Sequence, residues 1–112
     1  MNQRDLLLVS FPFSDQSGRK VRPVVVISNN QLNNFSEDIL VVGVTSNISK
    51  DRYTIDLTTK DLEEGKLINQ CCIKAENILK IDSELIIKKI GIIKKEKFKE
   101  LIEKIKISLK NS

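Results

Sequence analysis

Histidine and tryptophan are absent, tyrosine occurs once, and only two cysteines are present. Without histidine there is no imidazole for general acid–base catalysis and no histidine-bearing zinc site. The two cysteines, Cys71 and Cys72, are adjacent. Neighbours on a strand point to opposite faces, which suits neither a disulfide nor a metal pair. They read as small buried hydrophobes in a reducing compartment. No apolar run is long enough to cross a membrane. The start, Met1-Asn2-Gln3-Arg4-Asp5, leads into no signal-peptide cleavage pattern. The expected location is the cytoplasm. No linker, repeat or low-complexity block interrupts the 112 residues, so a single domain over 1–112 is expected.

What is present is aliphatic and charged. Forty per cent of the residues are apolar, enough for one core, and with only four Phe it is built mainly from Ile, Leu and Val. The charged share of 30% argues against wholesale disorder. Nineteen Lys and Arg against 15 Asp and Glu leave a net charge of +4, which permits a polyanionic partner without requiring one. Only four of the cations are arginines: Arg4, Arg19, Arg22 and Arg52. Arginine is the better fork for phosphate oxygens, so these four are the cations to follow.

Short apolar runs bounded by turn residues predict strands over 5–11, 21–28, 39–45, 53–57 and 67–74, with shorter ones at 78–81 and 86–93. Polar loops are expected at 14–20, 29–38 and 46–52, and a turn at 58–66. Pro23 should lie near the start of its strand, because it has no N–H for a ladder. The tail changes period. Phe98, Leu101, Ile102, Ile105 and Leu109 form one stripe of an amphipathic helix over 95–110, whose Lys- and Glu-rich face is solvated. Strands followed by one helix predict a mainly β fold, a small barrel capped by a C-terminal helix. The second and third strands are apolar on both faces, so each face needs a cover: the core on one side, and the helix or a second subunit on the other.

If the first three strands form an antiparallel meander, element order alone collects the loop 12–20, Arg22, Thr45 and the loop 46–52 at one edge. Arg19, Lys20, Arg22 and Arg52 then lie near Ser17, Thr45, Ser46 and Asn47. Cations beside small hydroxyl and amide donors make a phosphate-binding edge. The plain alternative is a surface arginine before a strand and a β-branched strand residue. Asp82 and Glu84 read as a polar turn rather than a carboxylate pair. Lys88, Lys89, Lys94 and Lys95 serve solubility or face an acidic partner.

Asp5-Leu-Leu-Leu-Val-Ser-Phe-Pro-Phe-Ser-Asp15, Ser17-Gly18, Val21-Arg22-Pro23-Val-Val-Val-Ile27-Ser28 and Val41-Val-Gly-Val-Thr45-Ser46 together resemble the MazF/PemK family of toxin endoribonucleases. Ile81-Asp82 and the C-terminal helix sit where the family has its own. The resemblance implies a small SH3-like barrel, shared with CcdB-like toxins. It implies a homodimer that cuts single-stranded RNA without metal or cofactor, leaving a 2′,3′-cyclic phosphate and a 5′-hydroxyl, and a cognate antitoxin that blocks the RNA groove. The family's active-site arginine matches Arg22 and its threonine matches Thr45. The loop 12–20 matches a mobile loop over substrate, which makes Phe13, Ser14, Ser17, Arg19 and Lys20 expected RNA contacts, joined by Ser46 and Asn47 from the loop 46–52 at the same edge. The sequence departs from the family at Arg4, where Gly is common before the aspartate. It also departs near Cys71, where Ser is common.

The resemblance leaves the general base open among Asp15, Glu76 and solvent. Two other readings stay in play: a CcdB-like toxin that binds DNA gyrase without cutting RNA, and an inactive RNA-binding relative.

Overall fold

Branched aliphatic side chains pack well on a pleated surface, and the Val- and Ile-rich runs become strands. The computed structural model describes residues 1–12 and 19–111, without the side chains of Pro12 and Arg19. In chain order it contains β1 (Asp5–Pro12), β2 (Arg19–Val26), α1 (Asn30–Phe35), β3 (Asp38–Thr45), β4 (Thr54–Leu57), β5 (Leu62–Gly65), β6 (Cys71–Asp82), β7 (Ile86–Ile93) and α2 (Lys95–Leu109). The seven strands described form one antiparallel sheet in the order β4-β6-β3-β2-β1-β7-β5. The fold is mainly β with a C-terminal helix, a curled half-barrel with β4 and β5 as its edges. The expected β1–β2–β3 meander is present.

Three expectations change. The strands read at 67–74 and 78–81 are one strand, β6, which begins only at Cys71. Val42 pairs with Ile78 while Gly43 pairs with Lys74, so Ala75, Glu76 and Asn77 form a bulge. A bulge breaks the two-residue period, and one strand therefore reads as two. Inside the turn expected at 58–66 lies β5, whose single buried residue, Leu62, is too little to show a period. Inside the connection expected at 29–38 lies α1, made by capping rather than by an apolar stripe. The Asn29 side chain accepts the Leu32 N–H at 2.8 Å. The buried Asn33 returns to Ser28, whose hydroxyl donates to it, while its amide donates to the Ser28 carbonyl.

Both faces of the meander are covered by this chain itself. On one face Leu6, Val25, Val42 and Val44 pack with Ile55, Leu57, Ile73 and the α2 residues Leu101 and Ile105. On the other, Leu7, Val9, Val24, Val26, Ile39 and Val41 lie under Phe11, Leu79, Leu85 and Ile86. The doubly apolar strands therefore need no second subunit as a cover. The α2 stripe holds through Ile105, whereas Leu109 is 74% exposed. Among the described residues no helix is long and apolar enough to cross a membrane.

Pro23 sits at the middle of β2, opposite Leu8, rather than near its start. The β2–β3 ladder covers only Val24–Val26. Val26 bonds toward Arg4, and Ile27 bonds toward Leu40 of β3. Peptide groups alternate sides along a strand, so the Pro23 nitrogen shares the side of Ile27. It faces β3 beyond the end of the ladder, where no donor is needed.

Arg4 has φ 79, the left-handed region that favours glycine. The glycine common at this position in the resembled family suits that conformation, whereas Arg4 bears the cost of a Cβ there. The guanidinium donates to the Ile93 carbonyl at 2.8 Å and pairs with Glu63 at 3.4 Å. Arg4→Ala keeps the Cβ penalty and loses those contacts, whereas Arg4→Gly loses only the contacts. The glycine variant is expected to be more stable than the alanine variant by about 1 kcal/mol in urea unfolding. Equal midpoints would show that the turn carries no such strain.

Candidate active site

The β2–β3 ladder runs from Val26–Val41 to Val24–Gly43 and then stops. Past that point the strands line a cleft of about 420 Å³. Arg22 and Pro23 line it from β2, and Val44 and Thr45 from β3, together with Phe11, Lys74, Asn77 and Leu79. Continuing the register sets Arg22 opposite Thr45, with both on the face that Val24 and Gly43 share. The two residues singled out for phosphate chemistry thus meet in one cleft. Pro23, which cannot extend the ladder, sits where it opens.

The Thr45 hydroxyl oxygen accepts the Asn47 N–H at 3.0 Å. An oxygen already accepting is set to donate its own hydrogen, and a phosphate oxygen is a fitting acceptor. Cys72, buried and opposite Thr45, donates its thiol to the Asn47 carbonyl at 3.8 Å. The turn after β3 is therefore held at both peptide groups. Cys71 points the other way, into the core with Ile73 and Leu101. Burial pushes its thiol above its ordinary value, and Cys72 adds to the shift. A thiol so placed is a poor nucleophile.

Sequence reasoning missed Lys74 and Asn77 as cleft residues. The β6 bulge delivers them, and bulges commonly re-aim side chains at sites. Lys74 pairs across the sheet with Gly43, and its ammonium lies 3.6 Å from the Glu76 carboxylate. The Asn77 amide lies over Gly43, where a Cβ would collide with it. The bare glycine is the seat of that amide. Gly43→Ala is expected to shift the Asn77 side-chain amide resonances in NMR while changing stability by no more than about 0.5 kcal/mol, because Asn77 is exposed and can swing away. A loss above about 2 kcal/mol would mean that the strand cannot adapt.

The other expected contacts divide. Lys20 is exposed on β2 opposite Phe11, on the same face as Arg22. Ser46 and Asn47 are exposed just past Thr45. Arg19 opens β2 opposite Pro12, but its side chain lies outside the described residues. Phe13, Ser14, Asp15 and Ser17 also lie outside them. Arg52 does not line the cleft. It sits 5.7 Å from the centre of the Tyr53 ring, and its carbonyl accepts the α2 residue Lys104 at 3.1 Å. The loop before β4 folds back, with the Thr54 hydroxyl donating to the Ser49 carbonyl, and so carries Arg52 toward the helix.

Away from the cleft, Asp82 caps the Glu84 N–H at 2.9 Å, as a turn residue does. Lys88, Lys94 and Lys95 are exposed, while Lys89 lies between Asp5 and Glu64. Among the described residues no three His, Cys, Asp or Glu gather as metal ligands.

A family model described as the PemK-like, MazF-like toxin of type II toxin–antitoxin systems matches residues 2–109. An endoribonuclease MazF from Staphylococcus saprophyticus is 32% identical over 98 residues, covering 86% of this chain and 78% of that protein. A MazE–MazF crystal structure from Deinococcus radiodurans superposes with a TM-score of 0.78 at 18% identity, over 100% of this chain and 98% of the other. An endoribonuclease in complex with its cognate antitoxin from a mycobacterial species gives 0.76 at 14% identity, over 100% and 99%.

Proposed function

This chain belongs to the PemK-like, MazF-like family of toxin endoribonucleases, and from that premise we propose that it is the toxin of a type II pair that cuts single-stranded RNA at the Arg22–Thr45 cleft. The observation that carries the proposal is the meeting of Arg22 and Thr45 where β2 and β3 part. In this reading residues 1–112 form one toxin domain acting in the cytoplasm, as a homodimer, under a cognate antitoxin. Sedimentation showing only monomer at working concentration would overturn the dimer.

The RNA 2′-hydroxyl attacks its own phosphate in line. This gives a 2′,3′-cyclic phosphate and releases a 5′-hydroxyl. Negative charge builds on the phosphorane oxygens. The Arg22 guanidinium stabilises it electrostatically, and the Thr45 hydroxyl, held by Asn47, donates a second hydrogen bond. Lys20, Ser46, Asn47 and the segment with Phe13, Ser14, Ser17 and Arg19 contact the flanking RNA. No metal takes part.

The test is cleavage of a long single-stranded RNA in EDTA, followed by analysis of the product ends. Cutting with cyclic-phosphate ends is the expected result. Uncut RNA with folded, antitoxin-free protein would shift the reading to a gyrase-binding toxin or an inactive RNA binder.

A further inference from the structure

Thr45 serves the reaction only if its hydroxyl hydrogen is aimed at phosphate. A hydroxyl rotates about its C–O bond and gives that hydrogen to whichever acceptor suits it. What fixes it here is the Asn47 N–H, which the Thr45 oxygen accepts at 3.0 Å. Ser46 and Asn47 are themselves exposed, and an exposed turn keeps such an aim only when something anchors it. The anchor is on β6, where the Cys72 thiol donates to the Asn47 carbonyl at 3.8 Å. The two bonds grip the peptide groups on either side of the Asn47 Cα, and among the described residues Asn47 makes no other. We propose that Cys72 is a positioning residue for Thr45, acting through the Asn47 peptide, an inference that rests on the ribonuclease reading above.

The surroundings of Cys72 fit this role better than a packing role. In the sheet it pairs with Thr45 of β3 and with Asp56 of β4, so its side chain leaves on the face that Thr45 uses. It is fully buried yet belongs to neither apolar cluster, whereas its neighbour Cys71 belongs to the core around Ile73 and Leu101. Core packing therefore accounts for Cys71 and leaves Cys72 to be explained by its S–H. A valine in its place fills the space but has no hydrogen to donate. The Asn47 carbonyl then turns to water, the Asn47 N–H loses its fixed direction, and the Thr45 hydroxyl is released to other acceptors. Binding of RNA in the ground state rests on cations and bases, which this change leaves in place. The Thr45 bond gains strength only as charge builds on the phosphate oxygens, so the loss falls on kcat.

The experiment is a double-mutant cycle on one single-stranded RNA: wild type, Cys72→Val, Thr45→Val, and the two changes together. Cys72→Val should lower kcat by about three- to tenfold, the size expected from one neutral hydrogen bond, with KM unchanged. In the Thr45→Val background the same change should cost nothing further, because the route through the Thr45 hydroxyl is already gone. Hydrogen exchange at the Asn47 backbone amide, followed by NMR without RNA, should quicken in Cys72→Val. Cys72→Ala removes the donor without adding volume, and it should reproduce the kcat loss even where valine proves too large to fold around. Wild-type kcat in both Cys72 variants would overturn the assignment. So would the same fractional loss with and without the Thr45 hydroxyl, which is what a general loss of packing produces. Failure of wild type to cut any RNA would instead overturn the ribonuclease reading beneath, and the assignment with it, whatever the Asn47 exchange shows.

Discussion

Arg22→Ala should slow RNA cleavage by about 10²–10³-fold, the usual consequence of removing one preorganised donor from a developing oxyanion. The fold should be unaffected. Arg22 is exposed at the cleft, beyond the last β2–β3 pair, and belongs to neither apolar cluster. Among the described residues its loss therefore leaves no cavity and no orphaned partner, and the melting temperature should stay within about a degree or two. Arg22→Lys should fall between the two. A point charge still attracts the phosphate but cannot present two parallel N–H groups to it. Single-turnover rates on one RNA, measured beside thermal melts, check both halves. Wild-type rates in the alanine protein would remove Arg22 from the chemistry.

A larger effect is expected from the substrate side. Once the cut has been mapped, an RNA with deoxyribose only at the nucleotide carrying the attacking hydroxyl should bind normally and stay uncut. Binding depends on phosphates and bases, which the change leaves in place, whereas the nucleophile itself is gone. All-DNA strands should fail for the same reason. Competition binding against the ordinary RNA, with a long incubation scored for product, separates affinity from reaction. Cleavage at the deoxy position would require a different nucleophile, such as water, and would overturn the cyclic-phosphate route.

Much of the fold was legible in the residues. Val24–Ile27 and Leu40–Val42 declare strands through branched aliphatics, and Phe98, Leu101, Ile102 and Ile105 declare a helix through their spacing. The Arg22–Thr45 meeting was legible too, because an antiparallel meander joined in order must bring the start of β2 beside the end of β3. Short elements were not. In α1 the helix rests on the Asn29 cap and the Ser28–Asn33 bonds, and β5 buries only Leu62. Neither repeats often enough to show a period.

Local pattern by itself determined where the chain extends and where it coils, which faces are apolar, and that histidine chemistry is closed to this protein. Apolar periodicity and composition act over a few residues and survive without knowledge of neighbours. Only the tertiary structure decided what crosses between elements. It covered both faces of the meander with this chain's own residues. It placed Arg4 in a left-handed turn, carried Arg52 away toward α2, and used a three-residue bulge to bring Lys74 and Asn77 to the cleft. Register and bulges are set by pairing energies between distant strands, so no window of sequence contains them.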